Sequence, residues 1–403
     1  MRLAIPLILT AVLALPGHAQ NRYERATNIG RVDSIRSAIL DEHRPFLIYT
    51  PPSYSDTTLV PGRYPVLYLL DGDAHFHSVS ALVQILGTGV NGTFVVPEMI
   101  VVAVPNIGGN RTRDLTPTKS TRGFDGSEAP YLASSGGGSA FLDFIRRELI
   151  PHIDSGYRTM AYRVLVGHSF GGVTTLNALY TMPETFNAYV AIDPSLWWDD
   201  RVLLKKARAF FESTRLEGKA LYVTQANTIT PGDTARNIPF EAIPAFDAIL
   251  NTFDRSGIRY GYRYYPKDTH GSVPLISEYD ALRFIFEDFE PPLLQVIADP
   301  SLLDRHFRAV SEKLGATFEP SDNFLRLLAQ NASQVDTTKD VVFAGMRVAR
   351  SPDHPRPYEA LGDVWAAKGD AAKARGYYEQ ALARNGYEPR LRRKINRLGA
   401  DQR

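Results

Sequence analysis

Arg163-Val164-Leu165-Val166-Gly167-His168-Ser169-Phe170-Gly171-Gly172 decides the reading of this chain. Its first four residues read as a short strand, and a small-residue helix follows through Leu179. Between them, Gly167-His168-Ser169-Phe170-Gly171 fits the G-x-S-x-G elbow, in which a sharp strand-to-helix turn holds a serine in a strained conformation. Strand and helix approach closely there, so the neighbours must be small. Gly167 and Gly171 meet that need, and Gly172 adds room. A bare G-x-S-x-G is common by chance; one placed at a strand-to-helix junction is not.

The flanking sequence repeats the alternation. Arg44–Thr50 is strand-like and stops at Pro51-Pro52. Tyr64–Leu70 and Met99–Val104 are near-continuous apolar runs, the signature of strands buried on both faces of a parallel sheet. Ala188–Ile192, Ala220–Thr224 and Tyr260–Tyr265 read as further strands. Helical spacing appears around Val79–Leu86, over Phe141–Ile150 up to Pro151, and across 240–256. Strands alternating with helices predict an α/β fold, a hydrolase-type sheet covered by helices on both faces.

Near Phe289-Glu290-Pro291-Pro292 the strand signals fade and helical ones take over. Counting from Pro355, the residues Tyr358, Leu361, Gly362, Trp365, Ala374, Tyr378 and Ala381 follow the large, small and aromatic pattern of a 34-residue tetratricopeptide helix pair. An ordinary helical hairpin is the alternative. The expected organisation is a leader over 1–19, an α/β domain over 20–290 and a small all-α, tetratricopeptide-like region over 291–403. At the N-terminus, Arg2, the apolar run Leu3–Leu15 and the small-x-small Gly17-His18-Ala19 read as a cleaved secretory signal. The run is too short to span a bilayer. Export to the periplasm and no membrane insertion after cleavage are therefore expected.

Composition narrows the chemistry. With 45 basic and 44 acidic residues the chain offers no strong field for nucleic acid. It contains no cysteine, which excludes thiol nucleophiles, thiolate metal sites and disulfides. No metal-ligand spacing and no phosphate-cradling glycine loop is visible, so neither metal nor cofactor is expected.

A serine needs a base to act as a nucleophile at neutral pH. His270 lies in Asp268-Thr269-His270-Gly271-Ser272, a polar loop just after the Tyr260–Tyr265 strand, and sheet ligands gather at the carboxyl ends of strands. His306, the other histidine considered, sits in the helical region. The acid that would orient the base is expected after Ala220–Thr224. Asp233 is the first candidate and Glu241 the second; Asp247 lies later in that helix, and a site with no tight acid partner stays open. Backbone N–H groups of Phe170 and of Gly72 or Asp73 would form the oxyanion hole. Trp197 and Trp198 either line a substrate pocket or are buried under the helical region. Arg113 would bind an anionic substrate group such as a carboxylate or catecholate, or pair with a neighbouring acid.

Taken together, Leu69-Leu70-Asp71-Gly72, Arg113–Pro117, Tyr157-Arg158-Thr159, Gly167–Gly172, Pro194–Trp198 and His270–Pro274 resemble the esterase family of α/β-hydrolases that includes enterochelin and other siderophore esterases, esterase D and feruloyl esterases. The resemblance spans about residues 30–290. It implies Ser169 and His270 as catalytic residues, a backbone oxyanion hole and a small-molecule ester substrate. Siderophore-type members have a weak or missing acid. Acyl transfer through the same site, or a non-catalytic role in which the C-terminal helices bind a protein partner or self-associate, are the competing expectations.

Overall fold

The computed structural model describes residues 28–88, 93–233, 237–252, 256–336, 338–385 and 388–400. The expected leader, 1–19, lies outside them. Eight strands form one sheet: β1 (Arg31–Ser37), β2 (Glu42–Tyr49), β3 (Tyr64–Leu70), β4 (Ile100–Val104), β5 (Thr159–His168), β6 (Ala188–Ile192), β7 (Ala220–Ala226) and β8 (Arg259–Tyr265). Their spatial order is β1-β2-β4-β3-β5-β6-β7-β8. β1 and β2 are antiparallel, as are β2 and β4; every other pair is parallel. Parallel strands need crossovers, and helices supply them. They are α1 (Gly72–Thr88), α2 (Arg111–Asp114), α3 (Gly138–Phe144), α4 (Ile150–Gly156), α5 (Phe170–Thr181), α6 (Trp198–Ser213), α7 (Ile238–Leu250) and α8 (Val273–Ile285).

Side-chain alternation along each strand divides the interior between two faces. Val66, Tyr68 and Leu70 of β3 pack with Phe144, Leu176, Phe211 and Phe246 on one face. Leu67 and Leu69 pack with Val79, Val83, Leu282 and Ile285 on the other. This is why β3 and β4 read as unbroken apolar runs: each residue has a core to face.

Two elements depart from the sequence reading. β1, Arg31-Val32-Asp33-Ser34-Ile35-Arg36-Ser37, is an exposed antiparallel edge strand whose polar sequence carries no apolar period. The helix that should end before Pro151 instead runs on to Gly156. Ile145–Leu149 is a π turn joining α3 to α4. In a regular helix the Pro151 ring would clash with a carbonyl of the preceding turn; the wider turn accommodates it.

After residue 290 the chain is helical: α9 (Leu293–Ala298), α10 (Ser301–Leu314), α11 (Asp322–Val335), α12 (Lys339–Arg350), α13 (Pro355–Ala367), α14 (Ala371–Asn385) and α15 (Pro389–Ala400). Val296, Leu303, Phe307, Phe324, Leu328 and Phe343 continue the same apolar cluster that lies beneath α1 and α8. By contrast, α13–α15 hold a cluster of their own built on Tyr358, Ala374, Tyr378, Ala381 and Leu391. Gly362 makes the α13–α14 hairpin close: a Cβ there would sit 2.5 Å from the Tyr378 ring. Among the described residues, no helix is long and apolar enough to cross a membrane.

Candidate active site

Ser169 is the hinge between β5 and α5, with φ 61° and ψ −115°. A left-handed backbone on a non-glycine residue is strained, and the surroundings enforce it. A Cβ on Gly167 would lie 2.2 Å from the Gly171 carbonyl oxygen, and one on Gly172 would lie 2.9 Å from Pro194 Cβ. Ser169 N–H donates to the Ile192 carbonyl at 3.0 Å, and Ser195 N–H donates to the Ser169 carbonyl at 3.1 Å. The elbow is thus tied on both sides to the end of β6.

His270 sits on the loop between β8 and α8. Asn227 N–H donates to the Asp268 carbonyl, and Ser272 Oγ donates to the Asp268 carboxylate while accepting from Thr269 N–H. With the loop so pinned, His270 Nδ1 lies 2.6 Å from Asp193 Oδ2. Asp193 directly follows β6, with a φ of 39° and 5% exposure. Its other oxygen, Oδ1, accepts from Ala226 N–H at 2.9 Å. A buried carboxylate holding an imidazole nitrogen is the arrangement that orients a general base.

That carboxylate is not one the sequence reading weighed. Asp233 lies on the turn closed by its own N–H to the Thr230 carbonyl. Glu241 faces Arg201 at 3.6 Å. Asp247 accepts from Tyr260 Oη and Asn251 Nδ2. The partner of His270 comes one strand earlier than expected, at the end of the strand beside the elbow. The signal was Ile192-Asp193-Pro194, an acid at the carboxyl end of a buried parallel strand. His306 is remote from the elbow, with Nε2 bonded to the Phe289 carbonyl.

The hydroxyl of Ser169 lies 3.3 Å from Ser195 Oγ. Among the described residues it has no hydrogen bond to the imidazole, a contact that in hydrolases commonly tightens only when substrate is in place. Phe170 and Gly72 open α5 and α1, and the first N–H groups of a helix have no intrahelical acceptor. β3 and β5 are neighbours, so these two helix starts lie side by side. Gly72 is required by packing: a Cβ would meet Ala103 Cβ at 2.8 Å. The Asp73 carboxylate is occupied, accepting from Asn106 N–H.

Three side chains singled out for substrate separate on inspection. Trp197 is half-buried, its ring near Phe124 and Phe170 at 6.1 and 5.9 Å. Trp198 is 1% exposed and donates Nε1–H to Thr118 Oγ1, a core residue that no substrate can touch. Arg113 is committed to Glu42 and Asp114, whose carboxylates flank its guanidinium. Arg111 instead faces the elbow. It donates twice to Asp71, reaches the His168 carbonyl at 3.4 Å and stands 5.5 Å over the Phe170 ring. Helical phase explains the exchange: two residues apart on the short α2, the side chains point to different sides.

Burial perturbs the titratable groups behind the site. His168 is pushed down to about 4, chiefly by desolvation with His270 and His75 adding to it. Desolvation pushes Glu278 up to about 8. Among the described residues no group of three or more His, Asp or Glu is placed to hold a metal ion. Two clefts lie elsewhere. One of about 380 Å³ sits between Phe94, Phe318 and Phe324, another of about 500 Å³ among α11, α13 and α15. Ser169 opens onto the surface outside both.

Residues 37–229 match the family described as Putative esterase. The ferri-bacillibactin esterase BesA of Bacillus subtilis is 31% identical over 267 residues, 63% of this chain and 89% of that protein. A siderophore triacetylfusarinine C esterase of Aspergillus fumigatus is 30% identical over 192 residues, 44% of this chain and 60% of that protein. Among solved structures, an IroE-like serine hydrolase of Shewanella oneidensis superposes with a TM-score of 0.71 at 32% identity, over 79% of this chain and 98% of that one. With its eight-stranded sheet, its serine elbow and these relatives, the chain belongs to the esterase family of α/β-hydrolases that includes the siderophore esterases, and it is a carboxylic-ester hydrolase.

Proposed function

We propose that this chain is an exported serine esterase that cleaves its substrate through an acyl-enzyme on Ser169. The observation that carries the reading is the strained Ser169 elbow placed at the same sheet edge as an imidazole held at 2.6 Å by the buried Asp193. His270, with Nδ1–H bound to Asp193, keeps its Nε2 lone pair for the serine proton. Ser169 Oγ attacks the ester carbonyl as that proton passes to His270. The negative charge on the carbonyl oxygen is met by the Phe170 and Gly72 N–H groups at the starts of α5 and α1. Collapse expels the alcohol, which takes the proton from His270. Water then repeats the sequence on the acyl-enzyme, releasing the acid and restoring Ser169.

The surroundings favour an aryl or otherwise bulky ester. Trp197 and Phe124 offer partly exposed rings, and Arg111 adds a partly exposed cation beside them. Two of the relatives are a ferri-bacillibactin esterase and a siderophore triacetylfusarinine C esterase, and a siderophore-type ester with an anionic aryl group suits this wall. Feruloyl or sugar esters are the next to try. The segment Arg2, Leu3–Leu15 and Gly17-His18-Ala19 supports delivery to the periplasm.

Hydrolysis of p-nitrophenyl acetate and butyrate by the wild type beside Ser169→Ala tests the mechanism. The variant should lose about 10⁴- to 10⁶-fold in turnover. Retained turnover in Ser169→Ala would end the serine mechanism.

A further inference from the structure

His168 has no task in the steps above, yet its ring is packed against the base. The His168 and His270 rings lie 4.5 Å apart, centroid to centroid, and are tilted by 40°. Behind His168, His75 of α1 meets it edge-on at 5.8 Å. His75 Nδ1 lies 3.5 Å from Glu278 Oε1 on α8, and the other Glu278 oxygen accepts from Ser78 Oγ at 3.0 Å. Four titratable side chains from four elements thus stand in a row that ends at the base.

The geometry keeps the middle of this row uncharged. His168 Nε2 is buried and has no hydrogen-bond partner, so no acceptor holds a proton there. The carboxylates that face the ring are engaged elsewhere: Asp71 by Arg111 and Asn106, Asp193 by His270 and Ala226. His75 is shifted down by burial, Asp71 and Asp73 opposing this and Arg111 assisting it. Glu278, pushed up to about 8, keeps its proton at neutral pH. A neutral ring therefore lies against an imidazole that becomes a cation once it takes the serine proton.

We propose that His168 is a positioning residue, a neutral aromatic platform that holds the His270 ring in place and stabilises its imidazolium during acyl transfer. A cation over a ring face gains enough to move a protonation equilibrium roughly three- to fivefold. Asp193 orients His270 through a ring nitrogen; His168 acts on the ring face. The proposal rests on the reading of Ser169 and His270 as nucleophile and base.

The test is an NMR titration of the histidine side chains in the full chain, followed by the same titration and a pH profile of kcat/KM in His168→Leu and His168→Phe. In the wild type, His168 should stay neutral while His270 titrates. Leucine should weaken proton uptake by His270 three- to fivefold and move the acid limb of kcat/KM to lower pH by the same factor. Phenylalanine should restore both. A purely structural role would lower activity in both variants without moving the His270 titration, and that result overturns the proposal. So does a wild-type His168 that takes up its proton together with His270, a result that needs no variant to fold. The titration reads no turnover. Failure of the esterase reading would show separately, as unchanged turnover in Ser169→Ala.

Discussion

Replacing Asp193 by asparagine should stop the chemistry while leaving the fold in place. The two carboxylate oxygens have different partners: Oδ1 takes the Ala226 N–H at 2.9 Å, and Oδ2 faces His270 Nδ1 at 2.6 Å. An amide in this slot is oriented by the backbone donor. Its oxygen must turn to Ala226, so its NH₂ points at His270. Nδ1 then has to accept, the ring proton moves to Nε2, and no lone pair remains for the Ser169 proton. The lost ion pair adds to this. Opposite charges at about 4 Å and an effective dielectric near 20 are worth about 4 kcal/mol, about three decades in rate. Together these effects predict a fall in kcat of about 10³- to 10⁴-fold with KM changed less than about threefold. Steady-state kinetics on p-nitrophenyl butyrate, with a thermal melt to confirm folding, measures it. Asp233→Asn in parallel should stay within about twofold of wild type, because that carboxylate lies on a separate turn. An Asp193→Asn enzyme within tenfold of wild type would refute the assignment.

Two other outcomes follow from burial. Glu278 is a carboxyl pushed up to about 8, so the folded chain holds a proton that the unfolded chain releases near 4.5. Stability should therefore fall as pH rises from about 4.5 to 8, by an amount of the order of 4 kcal/mol, and then level off. His168, lowered to about 4, gives the opposite slope between about 4 and 6.5, so the decline due to Glu278 is clearest from about 6.5 to 8. Melting temperatures across pH 5–9 should show this decline in the wild type and lose it in Glu278→Gln; identical slopes would contradict it. The tryptophan pair should separate by role. Trp197→Ala should raise KM for aryl esters several-fold more than for simple alkyl esters such as ethyl acetate, whereas Trp198→Ala should cost about 3–5 kcal/mol in urea unfolding.

The parts of this protein that were legible in its sequence share a physical origin. β3, β4 and β6 are buried on both faces, so their composition announced them. Ser169 was legible because the elbow forbids side chains at Gly167, a steric demand written as glycine. His270 was singled out by its place after the last strand, and the structure sets that loop against Asp193. Asp193, Arg111 and β1 were not found, each for a reason. Asp193 is one aspartate among many until β6 and the His270 loop are brought together, and chain order alone allowed several acids. Arg111 and Arg113 differ only in the direction of a four-residue helix. The edge strand β1 is held by backbone pairing to β2, which leaves little mark on side-chain choice.

The apolar cluster shared between the sheet and the helices after residue 290 sets where this chain can be divided. Phe94, Val96 and Tyr162 on the sheet side lie in the same cluster as Phe307, Phe318 and Phe324 on the helical side. Polar ties cross the same seam: Val60 N–H to Asp322, and Asn323 to Glu98. A cut at 290 would leave α1 and α8 on the sheet but expose the part of that cluster which α9–α12 cover. The natural joint is the one between α12 and α13, beyond which the last hairpin and α15 keep an interior of their own. A shuffled or transplanted catalytic unit would have to carry α9–α12 with it, so the modular boundary of this enzyme lies beyond Arg350, far past Tyr265, where its last strand ends.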